Sequence, residues 1–328
     1  MSEPKRHHLV PEFYLRRFAH NGIVELVDRH DPQRVNRVSV QNALVEKHFY
    51  SIDTEDGRDT AVEKMFASHV EGPASRALVR VIDDKKPCSF PGLRQAISMF
   101  LAFQFVRGPS TRHASVELFK AHTRKVLSVT SPEHVEAVMQ RQGRSVTPEE
   151  AAKIVKFAHD GQYDIGVSSE ANLHLSSALK NVLELVPFFK NRKWLILDFK
   201  SPVLLTGDEP VALIREPQSP GEASGLLDAP EVVFPTDPWH ALVLIRPDRA
   251  KIDDRHDGTQ RMADVINSHV AFNCHRYLVR YPSTDPLAGR SIPDKADPVV
   301  SLGKYVVIQP RVSTQSRKAW LKKVKKFD

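Results

Sequence analysis

The chain has 328 residues, of which 41% are hydrophobic and 27% are charged, so it can form a real core in one large domain or two ordinary ones. It contains no apolar run near the roughly 20 residues that a membrane-spanning helix needs. The first residues, MSEPKRHH, are basic but are not followed by an apolar stretch, so they do not read as a secretory signal. We therefore expect a cytoplasmic protein without a membrane anchor.

The net charge of +7 is concentrated in the last 18 residues, 311–328. This segment holds seven Lys and Arg against one Asp, so it carries +6 and leaves about +1 for the rest of the chain. A polybasic segment binds phosphate groups without specificity, so a nucleic-acid or phosphate partner would be held through the tail from Arg311 to Lys326. The alternative is a solvated last helix that only aids solubility. The oligomeric state stays open.

The first distinctive segment is HHLVPEFYLRRFA, residues His7–Ala19. Two histidines beside a proline, followed by interleaved aromatic and arginine residues, are unlike a frayed N-terminus. We expect this segment to be docked into the fold with its imidazoles at a site. A short strand over Ile23–Asp28 and a turn at Asp31-Pro32 are expected next.

Helices are predicted to dominate the next part of the chain. Apolar residues at helical spacing predict a helix over 60–71, which Pro73 should end or kink. Residues 93–106 are apolar on nearly every face, which is typical of a buried central helix. The Gly108-Pro109 pair should stop that helix.

Two later helices are indicated by their starts. Ser131-Pro132 and Thr147-Pro148 each place a capping side chain before a proline at the first helical position, and Glu150 completes a capping box with Thr147. A further helix is expected over 173–189. The two cysteines, Cys88 and Cys274, are outside any CxxC pair, and idle thiols are favoured over a disulfide between them.

Short aliphatic runs separated by Gly, Pro and Asp predict an antiparallel sheet in the second half of the chain. The runs lie at 194–199, 203–205, 211–214, 231–234, 241–245, 277–281 and 305–309, and a helix is predicted over 260–272. Helices first and strands later favour an α+β fold, with a helical N-terminal half packed on a mostly antiparallel C-terminal sheet. We expect a single domain over 1–328, helix-rich to about residue 190, sheet-rich over about 191–310, and ending in the basic tail.

Several segments together resemble the uncharacterised family called domain of unknown function 4238. They are HHLVPEFYLRRFA, HFYS, a Val-Glu pair in the first long helix, FLAFQFVRGP, a tryptophan opening the sheet, TGDEPV, an FP-plus-aromatic segment and an Asn-bearing helix. The resemblance covers nearly the whole chain. Here TGDEPV has Gly207 where such proteins commonly have a serine before the aspartate, which leaves Asp208 in place. The family implies no established activity.

Polar residues on otherwise apolar helices are the best candidates for chemistry, because burying a charge is costly unless it is paired. Glu63 and Glu71 share one helix face, and Gln104 and Arg107 share one side of the central apolar helix. The full candidate set is His7, His8, Tyr14, Arg17, Glu63, Glu71, Gln104, Arg107 and Asp208.

Such a set could bind and cleave a phosphoester, as a phosphodiesterase or nuclease-like hydrolase does. An imidazole would act as acid or base or as a metal ligand, the carboxylates would hold a divalent ion whose identity stays open, and the guanidinium would neutralise phosphate. Two other classes remain: a non-catalytic protein that binds a ligand or nucleic acid, and a polar network that only fixes the fold.

The structural alternative is specific for each candidate. Arg107 would pair with Glu63 or Glu71, a histidine would cap a helix or satisfy a carbonyl, and Asp208 would bind amides of its own turn. Asn267 would either reach a partner or lie exposed. The histidines near strands and helix ends, His240, His269 and His275, are expected to be structural.

Overall fold

A computed structural model describes residues 6–47, 52–54, 57–59, 67–160, 165, 182–214, 225–250, 253–290 and 292. Helices dominate the middle of the chain and strands its last third, which confirms the α+β class. No helix in these ranges is both long and apolar enough to cross a membrane. Glu63, the strand predicted at 305–309 and the basic tail lie outside the described residues.

The strands are β1 (Arg6–His8), β2 (Ile23–Asp28), β3 (Asp31–Ser39), β4 (Val45–Lys47), β5 (Ile52–Thr54), β6 (Gly57–Asp59), β7 (Lys193–Asp198), β8 (Leu205–Gly207), β9 (Ala212–Ile214), β10 (Glu231–Asp237), β11 (His240–Ile245), β12 (Asp254–Asp257) and β13 (Tyr277–Arg280). The α-helices are α1 (Glu12–Leu15), α2 (Gly72–Leu78), α3 (Pro91–Arg107), α4 (Pro109–Leu127), α5 (Pro132–Arg141), α6 (Pro148–Asp160), α7 (182–190) and α8 (Gln260–Asn273).

Nine of the strands form two main sheets. The five-stranded sheet has the order β12-β7-β11-β10-β9 and is antiparallel except where β12 runs parallel to β7. The four-stranded sheet has the order β3-β2-β13-β8 and is antiparallel throughout. Two strands from the N-terminal part thus complete a sheet with two from the C-terminal part, so strands also belong to the half that the sequence predicts as helical.

The N-terminal segment is docked into the core, as its composition predicts. Val10, Tyr14, Leu15 and Phe18 are completely buried. The Tyr14 ring stacks on Phe234 of β10 with ring centroids 5.0 Å apart. The segment therefore ties the helices to the five-stranded sheet.

Pro73 does not end the first long helix, so that part of the prediction is wrong. The chain is a π-helix over Ala67–Glu71, an α-helix over Gly72–Leu78, and again a π-helix over Val79–Asp83. Pro73 lies in the first turn of the α-helical part. The helix thus continues through Pro73, which directly follows the change from π- to α-helical backbone.

The buried central helix is confirmed as α3, whose residues from Ile97 to Phe103 are all buried. Gly108 ends it with an extended backbone, φ −65° and ψ 157°. The chain then enters a second long helix, α4, at Pro109, where the sequence predicts only a stop. The same glycine therefore separates two helices and lets the second one start in a new direction.

Both predicted helix caps are present. The Ser131 hydroxyl accepts the His134 amide at 3.3 Å. The Thr147 hydroxyl accepts the Glu150 amide at 3.2 Å, and the Glu150 carboxylate accepts the Thr147 amide at 2.8 Å, which is the reciprocal capping box. Cys88 and Cys274 are buried free thiols, as expected.

Candidate functional site

Arg107 organises a polar cluster at the junction of α3 and α4. Its Nη1 donates to Glu71 Oε1 at 3.0 Å and its Nη2 donates to the backbone carbonyl of His8 at 2.6 Å. The Arg107 side chain is only 5% exposed, whereas that of Glu71 is 24% exposed. The sequence left open whether Arg107 pairs with Glu63 or Glu71; it pairs with Glu71, and Glu63 lies outside the described residues.

The pairing of β1 with β4 brings two further side chains to this region. His7 lies directly opposite Glu46, so their side chains share one face of the ribbon. His7 is completely buried. Glu46 is half-exposed, and its Oε1 lies 3.5 Å from Nη1 of Arg112 in the first turns of α4. We call the set His7, Glu46, Glu71, Gln104, Arg107 and Arg112 the Arg107 cluster.

The pKa of the Glu46 carboxyl is raised above its usual range because burial disfavours the charged form. The positive charges of Arg112 and His275 oppose this shift without cancelling it. A raised pKa is the direction of shift that suits a carboxyl to donate a proton.

His8 contributes its backbone and not its imidazole to the Arg107 cluster. Neighbouring residues on a strand point to opposite faces, so the rings of His7 and His8 diverge. The His8 Nε2 lies 3.3 Å from the carbonyl oxygen of Val40. The His8 ring therefore fits the structural alternative, in which a histidine satisfies a backbone carbonyl.

Gln104 lies one turn before Arg107 on α3 and is only 2% exposed. Among the described residues, neither its Nε2 nor its Oε1 has a hydrogen-bond partner. A buried donor or acceptor left unpaired costs about 1–3 kcal/mol. This unpaired amide lies on the same side of α3 as Arg107, and such an exception needs an explanation, for example an ordered water or a bound ligand.

The carboxylate of Asp208 is engaged by backbone amides. Its oxygens accept the amides of His275 at 2.8 Å, Arg276 at 2.7 Å and Tyr277 at 2.9 Å. The sequence predicts that a turn aspartate binds amides, but these amides come from the junction of α8 and β13 and not from its own turn. Asp208 thereby fixes the segment that places the charge of His275 near Glu46.

Tyr14 and Arg17 belong to a separate network at the edge of the five-stranded sheet. The Tyr14 hydroxyl donates to the Pro235 carbonyl at 2.6 Å and lies 2.8 Å from the Thr206 hydroxyl. Arg17 contacts Asp83 at 2.8 Å and Asp237 at 2.7 Å. These contacts hold the N-terminal segment in place.

His240 is part of the same edge. Its Nδ1 lies 2.7 Å from Asp237 and its Nε2 lies 3.3 Å from Asp198, which in turn binds Arg255. We call Arg17, Asp83, Asp198, Asp237, His240 and Arg255 the Arg17 network. Asn267 is also structural: it is fully buried, accepts the Leu205 amide at 3.1 Å and donates to the Val203 carbonyl at 2.7 Å.

The sequence missed Glu46, Arg112 and Glu209. Glu46 stands in a run of alternating polar and apolar residues, but only the pairing with β1 places it opposite His7. Arg112 belongs to a helix that was not predicted. Glu209 Oε1 accepts the Ser110 amide at 2.5 Å, a contact between residues 99 positions apart that no local pattern shows.

Within the described ranges, no group of three or more His, Cys, Asp or Glu side chains is placed to hold a metal ion. The Arg107 cluster instead offers two carboxyls, two guanidinium groups, one amide and the His7 imidazole. Such a set can neutralise an oxyanion, accept a proton from water and return one to a leaving group.

A sequence profile described as a protein of unknown function, DUF4238, matches residues 6–284. The match spans most of the α+β fold, including every residue of the Arg107 cluster. The chain belongs to this family. No curated protein and no solved structure matches it.

Proposed function

We propose that this protein is a hydrolase of phosphoesters, of the phosphodiesterase or nuclease-like kind, with the Arg107 cluster as its active site. The observation that carries the proposal is the unpaired, buried amide of Gln104, which lies on the same side of α3 as the buried Arg107. An amide and a guanidinium together provide donors for the non-bridging oxygens of a phosphate, and guanidinium groups match phosphate geometry.

The carboxyls supply the proton transfers in this proposal. Glu71, which is more exposed than Arg107, takes a proton from the attacking water while the water oxygen bonds to phosphorus. Glu46, whose raised pKa keeps it protonated to a higher pH than an ordinary glutamate, gives a proton to the leaving oxygen as the old P–O bond breaks. Arg107 and Arg112 neutralise charge that builds up in the transition state. The divalent ion that the sequence left open is no part of this scheme.

A non-catalytic binding protein is the second candidate. It is favoured by the two hydrogen bonds that already engage Arg107, to Glu71 and to the His8 carbonyl, which resemble a structural pair. In that case the same cluster would hold a phosphate-bearing ligand without turnover. Binding without hydrolysis distinguishes this candidate from the first.

The test is phosphodiesterase activity of the full chain on bis(4-nitrophenyl) phosphate, RNA and single-stranded DNA, with and without Mg²⁺ or Mn²⁺. Glu71→Gln and Arg107→Lys should each lower turnover by at least about 100-fold, the usual effect of losing a positioned acid–base or charge-stabilising group. Arg17→Lys is the matched control, because Arg17 is also a largely buried, carboxylate-paired arginine but belongs to the Arg17 network.

Arg17→Lys should lower stability and leave turnover per folded molecule unchanged. If wild-type protein shows no turnover on any of these substrates, catalysis is rejected. Equal losses per folded molecule in Arg107→Lys and Arg17→Lys would also reject the Arg107 cluster as the active site.

A further inference from the structure

Glu209 closes the N-terminus of α4 from another part of the chain. A helix begins with backbone amides that lack intrahelical partners, and the residue before it usually supplies a side chain to accept one of them. Here that residue is Gly108, which has no side chain, and no side-chain cap of its own is present. The carboxylate of Glu209 accepts the Ser110 amide instead, at 2.5 Å.

Gly108 leaves the space that Glu209 fills. A Cβ atom at position 108 would lie 2.9 Å from Glu209 Oε1 and 3.0 Å from its Cγ. Contacts this short would force the carboxylate away from the helix end. The residue that separates α3 from α4 is thus also the residue that lets Glu209 reach their junction.

The turn that contains Glu209 is fixed by hydrogen bonds from the end of α8 and the segment after it. Asn273 Nδ2, at the end of α8, donates to the Glu209 carbonyl at 2.9 Å and to the Val211 carbonyl at 3.1 Å. The adjacent Asp208 accepts three amides of the segment 275–277. Glu209 is only 8% exposed, so its carboxylate extends from a fixed base.

The two arginines of the Arg107 cluster flank the point that Glu209 holds. Arg107 is the last residue of α3, and Arg112 lies in the first turns of α4, where its amide bonds to the Gly108 carbonyl at 3.1 Å. Their guanidinium groups reach Glu71 and Glu46, respectively. The angle between the helices at this junction therefore sets where both charges lie.

We infer that Glu209 is a positioning residue, which fixes the junction of α3 and α4 and thereby aims Arg107 and Arg112 at one phosphate. The inference rests on the proposed function for its catalytic consequence. Displacing a reacting group by about 1 Å can cost about 100-fold in rate, so a residue that touches no substrate can control turnover.

The test compares Glu209→Ala with Glu209→Gln in the full chain, using bis(4-nitrophenyl) phosphate for turnover and hydrogen exchange for the junction. A glutamine oxygen can accept the Ser110 amide as the carboxylate does, so Glu209→Gln should keep turnover within about 3-fold. Glu209→Ala should lose about 10-fold or more, mainly in kcat, with faster exchange at amides 110–112.

Two further variants keep the inference testable. Gly108→Ala keeps the Glu209 carboxylate but displaces it from the helix end. It should therefore lose turnover as Glu209→Ala does, and it provides the test if Glu209→Ala folds poorly. Glu25→Ala is the matched control, since Glu25 is also a buried carboxylate that accepts a backbone amide, that of Ser283 at 3.1 Å, but on the four-stranded sheet. It should leave turnover per folded molecule unchanged.

Wild-type turnover in Glu209→Ala, or an equal loss in Glu209→Gln and Glu209→Ala, would overturn the inference. If the wild-type protein has no turnover, the proposed function fails separately, and hydrogen exchange decides the positional claim. Faster exchange at 110–112 in Glu209→Ala but not in Glu209→Gln would then support it, and unchanged exchange in both would overturn it.

Discussion

At the scale of single residues, the Arg17 network shows how charges anchor the N-terminal segment. Burial pushes the pKa of Asp237 upward, but hydrogen bonding and charge from His240, the charge of Arg17 and the Trp239 amide outweigh it, so that pKa is lowered. The ionised carboxylate is therefore more stable in the folded protein than in the unfolded chain. The stability that it contributes is present above the unfolded pKa of about 3.9 and is lost as the pH falls through the lower folded pKa.

Asp237→Asn should lower the free energy of unfolding at pH 7 by about 1–3 kcal/mol, because it removes one charged partner of the largely buried Arg17, which keeps its pair with Asp83. Urea unfolding of the variant and the wild type at several pH values measures this. The difference should begin to narrow below about pH 4, where the unfolded Asp237 takes up a proton, and should be lost as the pH falls through the lower folded pKa. A difference that stays constant from pH 7 to pH 3 would show that the ionised group is not its source.

The stability that Glu46 contributes depends on pH in the opposite direction to that of Asp237, because the folded pKa of Glu46 is raised by burial. Its contribution to stability is fully present below the unfolded pKa of about 4.3 and is lost as the pH rises through the folded pKa. Glu46→Gln should therefore raise the thermal midpoint at pH 7 and have no effect at pH 4. The same variant should lower phosphodiesterase turnover, since an amide cannot donate the proton. A lower midpoint at pH 7 would contradict the direction of the shift.

How far the sequence predicts the candidate site depends on the residue. Arg107, Gln104 and Glu71 stand out because polar groups interrupt apolar helices, and the structure brings Arg107 and Glu71 into contact. The direction of each histidine ring cannot be predicted, because it depends on which face of β1 meets β4. Partners far apart in the chain, such as Glu209 and Ser110, are likewise invisible before the fold is known.

At the scale of elements, signals within a few residues of a boundary were the reliable ones. Strand β2 lies at the predicted residues, and both capping motifs form. Strand β3 was missed because it is a polar edge strand whose first seven residues are exposed, so apolar alternation is weak. Helix α4 was missed because its proline and glycine signals mark a start as well as a stop.

The capping box at the start of α6 gives a prediction for that helix alone. Thr147→Ala should cost about 1 kcal/mol, because the Glu150 amide loses its acceptor, whereas Thr147→Ser should cost little. The Thr147 amide and hydroxyl also lower the pKa of Glu150, so that contribution fades as the pH falls below about 4. Hydrogen exchange of the amides of residues 149–152 in the two variants measures the effect. Equal exchange in both would rule out the hydroxyl as the cap.

At the scale of the whole molecule, the charge is divided between a nearly neutral body and a tail with +6. If the protein binds nucleic acid, most of the affinity should reside in residues 311–328. The intact chain should then lose affinity steeply with salt, with a logarithmic slope as large as about −5 for single strands, and a chain ending at Gln309 should show a shallow slope. Equal affinity and equal slopes for the two chains would remove the tail from binding.

The central claim is that the unpaired amide of Gln104 serves a ligand and not the fold. Gln104→Met keeps the volume of the side chain and removes the amide, and Ser98→Ala is the control, because Ser98 carries the other unpaired buried polar group among the described residues. The decisive measurement is urea stability and phosphodiesterase turnover of both variants, taken on the same preparations. We expect Gln104→Met to be as stable as the wild type or more stable, by up to about 1–3 kcal/mol, and to lose turnover by about 100-fold, while Ser98→Ala keeps full turnover. Full turnover in Gln104→Met, or a loss of turnover that only follows a loss of stability, would contradict the account.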